Sequence, residues 1–221
     1  MKRSLYPRLA WQGIRKNGKI YFPYLAASIF VVMVYYLIGF LSNDPVVREM
    51  EGGEQMQLIL MMGSSVMALF SVIFLFYTNS FLMKRRRKEL GLYHVLGMGR
   101  KNVAFVLAWE SLITTAVSLT GGILCGVLFS KMGQLAMIFL LGGEADFSFS
   151  VNLEILLQTL KIYGSIFFLL LLYRIFQIFR TKPLELLKSE SLGERPPKAN
   201  WVSAVLGVLL LGGAYYLSVT V

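Results

Sequence analysis

Glu110 and Arg174 each sit inside a long apolar run, where an ionised side chain needs either a partner or a task. Glu110 follows Val103 by a helical distance of about 10 Å, so it lies near one end of its run. There it can snorkel or pair with a cation such as Arg174 on a neighbouring run; a structural ion pair is the expected role and a functional carboxylate the alternative. The single histidine, His94, has no second histidine or cysteine near it, so a hydrogen-bonded or charged loop position is expected rather than a metal site. The single cysteine, Cys125, cannot form an intrachain disulfide and reads as a small apolar residue. Gly91 and Gly97 are spaced wrongly for a P-loop, and neither H-E-x-x-H nor G-x-S-x-G occurs. No catalytic role is assigned to this chain.

The densest concentration of charge is "KRRRKELGLYHVLG", Lys84 to Gly97, which lies between two long hydrophobic runs. Five cations lead into Leu90, Leu92, Tyr93, Val95 and Leu96, and Gly97 and Gly99 close the segment. This pattern predicts a short amphipathic helix at the membrane surface. Residue chemistry alone leaves two roles open: a topological anchor, or a surface through which something outside the membrane acts on the helices.

Those helices follow from composition. With 221 residues, 56% of them hydrophobic and 15% charged, the chain is too apolar for an ordinary soluble domain. Five runs approach or exceed the roughly 20 residues that span hydrocarbon as a helix: Tyr21–Leu41, Leu58–Met83, Val103–Phe129, Ile162–Phe179 and Trp201–Val221. The expected fold is an all-α integral membrane bundle with an N-terminal interfacial helix over 1–19, a four-helix transmembrane domain over 20–180, a Pro-bearing cytoplasmic linker over 181–200 and a fifth span from 201. A disordered basic tail is the alternative for 1–19. Pro23 is expected in the first turn of span one, where its missing N–H costs little.

All but three of the 22 basic residues fall before span one, between spans two and three, or in the segment from Arg174 to Lys198. The positive-inside rule therefore places the amino terminus and the basic segment in the cytoplasm. Topology and attraction to an anionic leaflet account for the net charge of +10, and without a recognised module it does not argue for nucleic acid.

Within the third run, Thr114, Ser118, Gly122, Gly126 and Ser130 recur at intervals of four and form one row of small residues suited to close helix packing. The first outer loop, Ser42 to Gln57, is too short for a domain. "QLAMIFLL" is too short to span, and the conformation of 131–161 does not follow from periodicity. The last run ends without a polar flank, so the chain reads as the amino-terminal part of something longer.

The stretch Thr78 to Met132 resembles the core of FtsX/MacB-type ABC transporter permeases. The resemblance rests on Arg87, Glu89, Gly91, Leu96, Gly97, Glu110, Gly121, Gly122 and Gly126. "FLMKRRRKELGLYHVLGM" and "TKPLELLKS", with the short first outer loop, look most like the bacitracin-export (BceB-like) branch. The resemblance implies a bacterial plasma-membrane permease acting in antimicrobial-peptide resistance and sensing. It implies that Arg87, Glu89, Gly91, Leu92, Tyr93, Leu96 and Gly97 couple the membrane helices to an ABC ATPase subunit, a dimer that would bind ATP and Mg on its own chain. A histidine kinase partner, and a peptide held by an extracellular domain beyond this sequence, are implied in the same way. The rival reading from residue chemistry is a membrane signalling or scaffold subunit that needs no ATPase.

Overall fold

The structure is a computed structural model that describes residues 5–49, 52–141 and 152–180. The expected linker over 181–200 and span over 201–221 lie outside the described residues. Within them the chain is helical throughout, with seven helices and no strand: α1 Leu5–Lys16, α2 Gly18–Ser42, α3 Pro45–Glu49, α4 Gly53–Arg85, α5 Arg87–Val95, α6 Arg100–Leu141 and α7 Leu153–Arg180. Four of these, α2, α4, α6 and α7, are long and apolar enough to cross a membrane. A spanning helix satisfies its own backbone groups, which explains why apolar runs of this length adopt no other form. The chain is a multi-pass membrane protein.

One helix settles what the sequence left open, and another differs from the expectation. First, Gln134–Leu141, whose conformation periodicity left undecided, continues α6, because no proline or left-handed residue interrupts the helix there. At 42 residues α6 measures about 63 Å, twice the hydrocarbon thickness, and so projects beyond it. Second, α2 begins at Gly18, which puts Pro23 in the second turn and not the first. The turn at Asn17 starts the helix early, with the backbone N–H groups of Ile20 and Tyr21 both donating to the Asn17 carbonyl. Without an N–H at Pro23, the carbonyl of Lys19 has no i+4 donor.

The core of the bundle lies between α2, α4 and α7, where Val31, Val32, Tyr35, Leu75, Tyr163, Ile166, Phe167 and Leu170 are buried together. A hydroxyl chain crosses it: Tyr163 donates to the Val31 carbonyl at 3.1 Å and meets Ser71 Oγ at 2.7 Å. The α6 face packs on α2 through its row of small residues, and Thr114, Ser118, Gly122, Gly126 and Ser130 are all buried. A methyl group built on Gly122 would stand 2.5 Å from Val32 Cβ, and one on Gly126 would stand 2.9 Å from the Tyr36 ring. Cys125 is half-buried beside this row.

The short helix α5 ends in a left-handed glycine. Gly97 has φ +85°, its N–H donates to the His94 carbonyl at 3.1 Å, and the Met98 N–H reaches back to the Tyr93 carbonyl at 2.9 Å. This is the Schellman arrangement, completed by contact of Met98 and Tyr93 with one apolar cluster. His94 Nδ1 lies 2.9 Å from the Met98 carbonyl, so the histidine takes part in the cap. Gly97→Ala is expected to cost about 1–2 kcal/mol locally, since a Cβ disfavours the left-handed region. Hydrogen exchange should show faster exchange at 94–98 with α6 unchanged; protection equal to wild type would show that the cap contributes nothing.

Candidate functional site

The corner between α4 and α5 is a single residue. Arg86 closes α4, its N–H donating to the Leu82 carbonyl, and opens α5, its carbonyl accepting from Leu90. The neighbouring Lys84 and Arg85 are exposed, whereas Arg86 is 2% exposed because its side chain turns into the bundle. There Nη1 donates to Glu110 Oε2 and to the Tyr21 hydroxyl, and Nε lies 3.2 Å from Glu89 Oε2. Tyr21 in turn donates to Glu110 Oε2 at 3.0 Å. Burial works most strongly against the guanidinium charge, but Glu110, Tyr21 and Glu89 together outweigh it and hold the Arg86 pKa above its ordinary value.

The expected pairing of Glu110 with Arg174 is therefore corrected: the partner is Arg86. Because α6 starts at Arg100, Glu110 lies level with the end of α4 and the start of α2, within reach of the cation at that corner. Arg174 does not flank a span; it is 2% exposed within α7. Its Nε donates to Asn79 Oδ1, its Nη1 donates to Ser111 Oγ at 2.9 Å, and its guanidinium lies 5.5 Å from the Tyr24 ring centroid. Among the described residues no carboxylate forms a salt bridge with it. The two buried arginines thus tie α2, α4, α5, α6 and α7 together at the basic end of the bundle.

The first helix joins the same knot. Asn17, at the turn between α1 and α2, places Nδ2 2.8 Å from both carboxylate oxygens of Glu89 and 3.0 Å from the Gly13 carbonyl. Gly13 sits against the ion pair: a methyl group there would stand 2.8 Å from Glu110 Oε1 and 3.3 Å from Arg86 Nη2. Tyr6 donates to Asn102 Oδ1 at 3.0 Å and its ring lies 5.7 Å from that of Phe105, so α1 is docked along α6.

The residues of α5 divide into two faces. Leu90 is buried with Met83, Val103, Leu107 and Ile178, and Tyr93 packs against the same cluster. Gly91 is buried, and Glu89 is engaged by Arg86 and Asn17. On the opposite side Leu92, Val95 and Leu96 are 53%, 64% and 72% exposed. Arg87 is half-buried. The family resemblance grouped Arg87, Glu89, Gly91, Leu92, Tyr93, Leu96 and Gly97 as one coupling element; the structure gives Glu89, Gly91 and Tyr93 to anchoring and leaves the leucines outward. Sequence reasoning also missed Gly13, Asn17, Tyr21, Arg86 and Ser111, of which only Arg86, inside the basic run, carried a recognisable signal.

A family model described as "FtsX-like permease C-terminal" matches residues 61–183, more than half of the chain and including the corner, α5 and Glu110. The chain belongs to the FtsX-like permease family. Among curated proteins, this FtsX-like chain is 29% identical over 202 residues to the "Bacitracin export permease protein BceB" of Halalkalibacterium halodurans, covering 91% of this chain and 31% of that protein. It is 27% identical over 215 residues to the "Uncharacterized ABC transporter permease YvcS" of Bacillus subtilis, covering 96% of this chain and 33% of the relative. The Bacillus subtilis BceB is 26% identical over 215 residues, with the same shares. The chain therefore spans about a third of the length of the curated relatives it matches.

Proposed function

We propose that this chain is the amino-terminal membrane portion of an ABC transporter permease that takes part in antimicrobial-peptide resistance and sensing. The observation that carries the coupling role is the two-faced α5: one side locked into the bundle by Leu90, Tyr93 and the Arg86–Glu89 pair, the other offering Leu92, Val95 and Leu96 to a partner. Exposed leucines on a short helix beside a strongly basic segment make an apolar docking patch. In this reading a separate ABC ATPase, dimeric and holding ATP and Mg on its own residues, docks on that patch from the cytoplasm. Its movement enters the membrane through Arg86, which contacts α2 and α6 directly. Membership of the FtsX-like family and similarity to two bacitracin export permeases support the partner class and the peptide substrate class. The concentration of cations at the α4–α5 corner and before α2 supports a cytoplasmic amino terminus in a bacterial plasma membrane. A histidine kinase partner, and a peptide engaged by an extracellular domain later in the full protein, complete the proposal.

The test replaces Leu92, Val95 and Leu96 with serine in the full-length permease and leaves Tyr93 in place, because Tyr93 faces the core. The expected result is loss of most of the co-purified ATPase from mild detergent while the permease inserts at wild-type levels. Undiminished recovery of the ATPase would refute docking on this face and favour a scaffold subunit in which α5 only anchors topology.

A further inference from the structure

A groove of about 620 Å³ runs between α2 and α4, apart from the α5 patch and the buried arginines. It falls within the roughly 300–1,000 Å³ usual for small-molecule sites. From α2 it takes Lys19, Pro23 and Ala27, spaced at intervals of four along one helix face; from α4 it takes Arg85, Phe81 and Tyr77, descending at the same interval. The two cations therefore share one end, and the walls above them are apolar and aromatic. Ala27 and Pro23 are small enough to leave the space open, and Tyr24 forms its inner wall.

The charged end is built and unspent. Among the described residues neither Lys19 nor Arg85 takes part in a salt bridge, and both side chains are exposed. The Arg85 guanidinium lies 5.0 Å from the Phe81 ring centroid, so the ring holds it at the mouth of the groove. Both groove walls belong to helices able to cross a membrane, with the cations in the first turn of α2 and the last turn of α4. An occupant must therefore be apolar along most of its length and anionic at one end, at the level where a headgroup meets hydrocarbon.

We infer that this groove binds an anionic glycerophospholipid from the leaflet on the basic side, its phosphate between Lys19 and Arg85 and one acyl chain lying along Ala27 and Tyr77. Two cations at the membrane surface give a preference for anionic over zwitterionic lipid on the order of thirtyfold. The inference stands on the geometry of α2 and α4 and does not depend on ATPase docking.

The test is native mass spectrometry of the delipidated full-length permease, titrated with phosphatidylglycerol or phosphatidylcholine. Wild type is expected to retain phosphatidylglycerol with the stated preference, and the double variant Lys19→Gln/Arg85→Gln to fall to within about threefold of parity. Arg8→Gln/Arg15→Gln, which removes the same charge elsewhere, should keep the preference. Ala27→Phe, which fills the groove and leaves both cations, should weaken retention of both lipids. Absence of preference in wild type would overturn the inference, as would equal loss in the control pair, displacement by millimolar inorganic phosphate alone, or retention indifferent to Ala27→Phe. The last result would mean that helices of the full protein already fill the groove.

Discussion

Glu110→Ala is expected to destabilise the bundle by about 3–5 kcal/mol, the largest effect of any single substitution considered, because it takes from a buried guanidinium its one fully buried counter-charge and leaves it only the partly exposed Glu89 carboxylate at 3.2 Å. Arg86 is 2% exposed and Glu110 fully buried, so water cannot substitute for the lost carboxylate; Tyr21 supplies only a neutral hydroxyl, and Glu89, already engaged by Asn17, reaches Nε and not the Nη1 that faced Glu110. The double variant Arg86→Met/Glu110→Met should recover most of that loss, since removing both charges of a buried pair also removes their desolvation penalty. Unfolding of the full-length protein in mild detergent, measured over the complete double-mutant cycle, would give the coupling directly. A single variant within about 1 kcal/mol of wild type would mean that Arg86 finds another partner, and the ion pair would lose its central place in the knot. If the proposed coupling holds and the knot carries motion from α5 inward, the double variant should also be stable yet uncoupled, with ATP hydrolysis by the proposed ATPase no longer responsive to the permease.

The second large effect concerns the contact between α6 and α2. Gly122→Ala is expected to cost about 1–3 kcal/mol despite adding only one methyl group, as overpacking of a close contact does. The methyl would stand 2.5 Å from Val32 Cβ and 3.0 Å from the Ile29 carbonyl oxygen. Neither atom can rotate away, since one is a β-carbon and the other backbone, so the helices must separate. Gly63→Ala is the matched control: nothing lies within 4 Å of a methyl there, and replacing a glycine inside a helix should stabilise by roughly 0.5–1 kcal/mol. Opposite signs for these two substitutions in the same unfolding assay are the expected outcome. Equal effects would show that the α2–α6 contact is loose enough to absorb a side chain.

Much of this architecture is a local matter and can be read along the chain. A run of some twenty apolar residues must become a helix in hydrocarbon, since nothing else there satisfies its amides, and four such runs account for α2, α4, α6 and α7. The small residues from Thr114 to Ser130 share a face because their spacing is a property of one helix. The glycine at 97 marks the end of α5 because a left-handed turn needs no information beyond the next few residues.

The identity of buried partners is a different kind of fact. Whether Glu110 meets Arg174 or Arg86 depends on how far one helix slides along another, and that offset follows from the turn at Asn17, the corner at Arg86 and the start of α6 at Arg100. Five adjacent cations look equivalent in a line of text; the corner alone turns Arg86 inward and leaves Arg85 free to face the groove. Likewise Tyr93 and Leu92 are neighbours in the chain but lie on opposite sides of α5, because Leu90 fixes that helix's rotation against α4, α6 and α7. Apolar length and residue spacing thus settle which elements form, since each is a property of one segment. Partner choice awaits the packed bundle, because only there do offsets and rotations of separate helices acquire values.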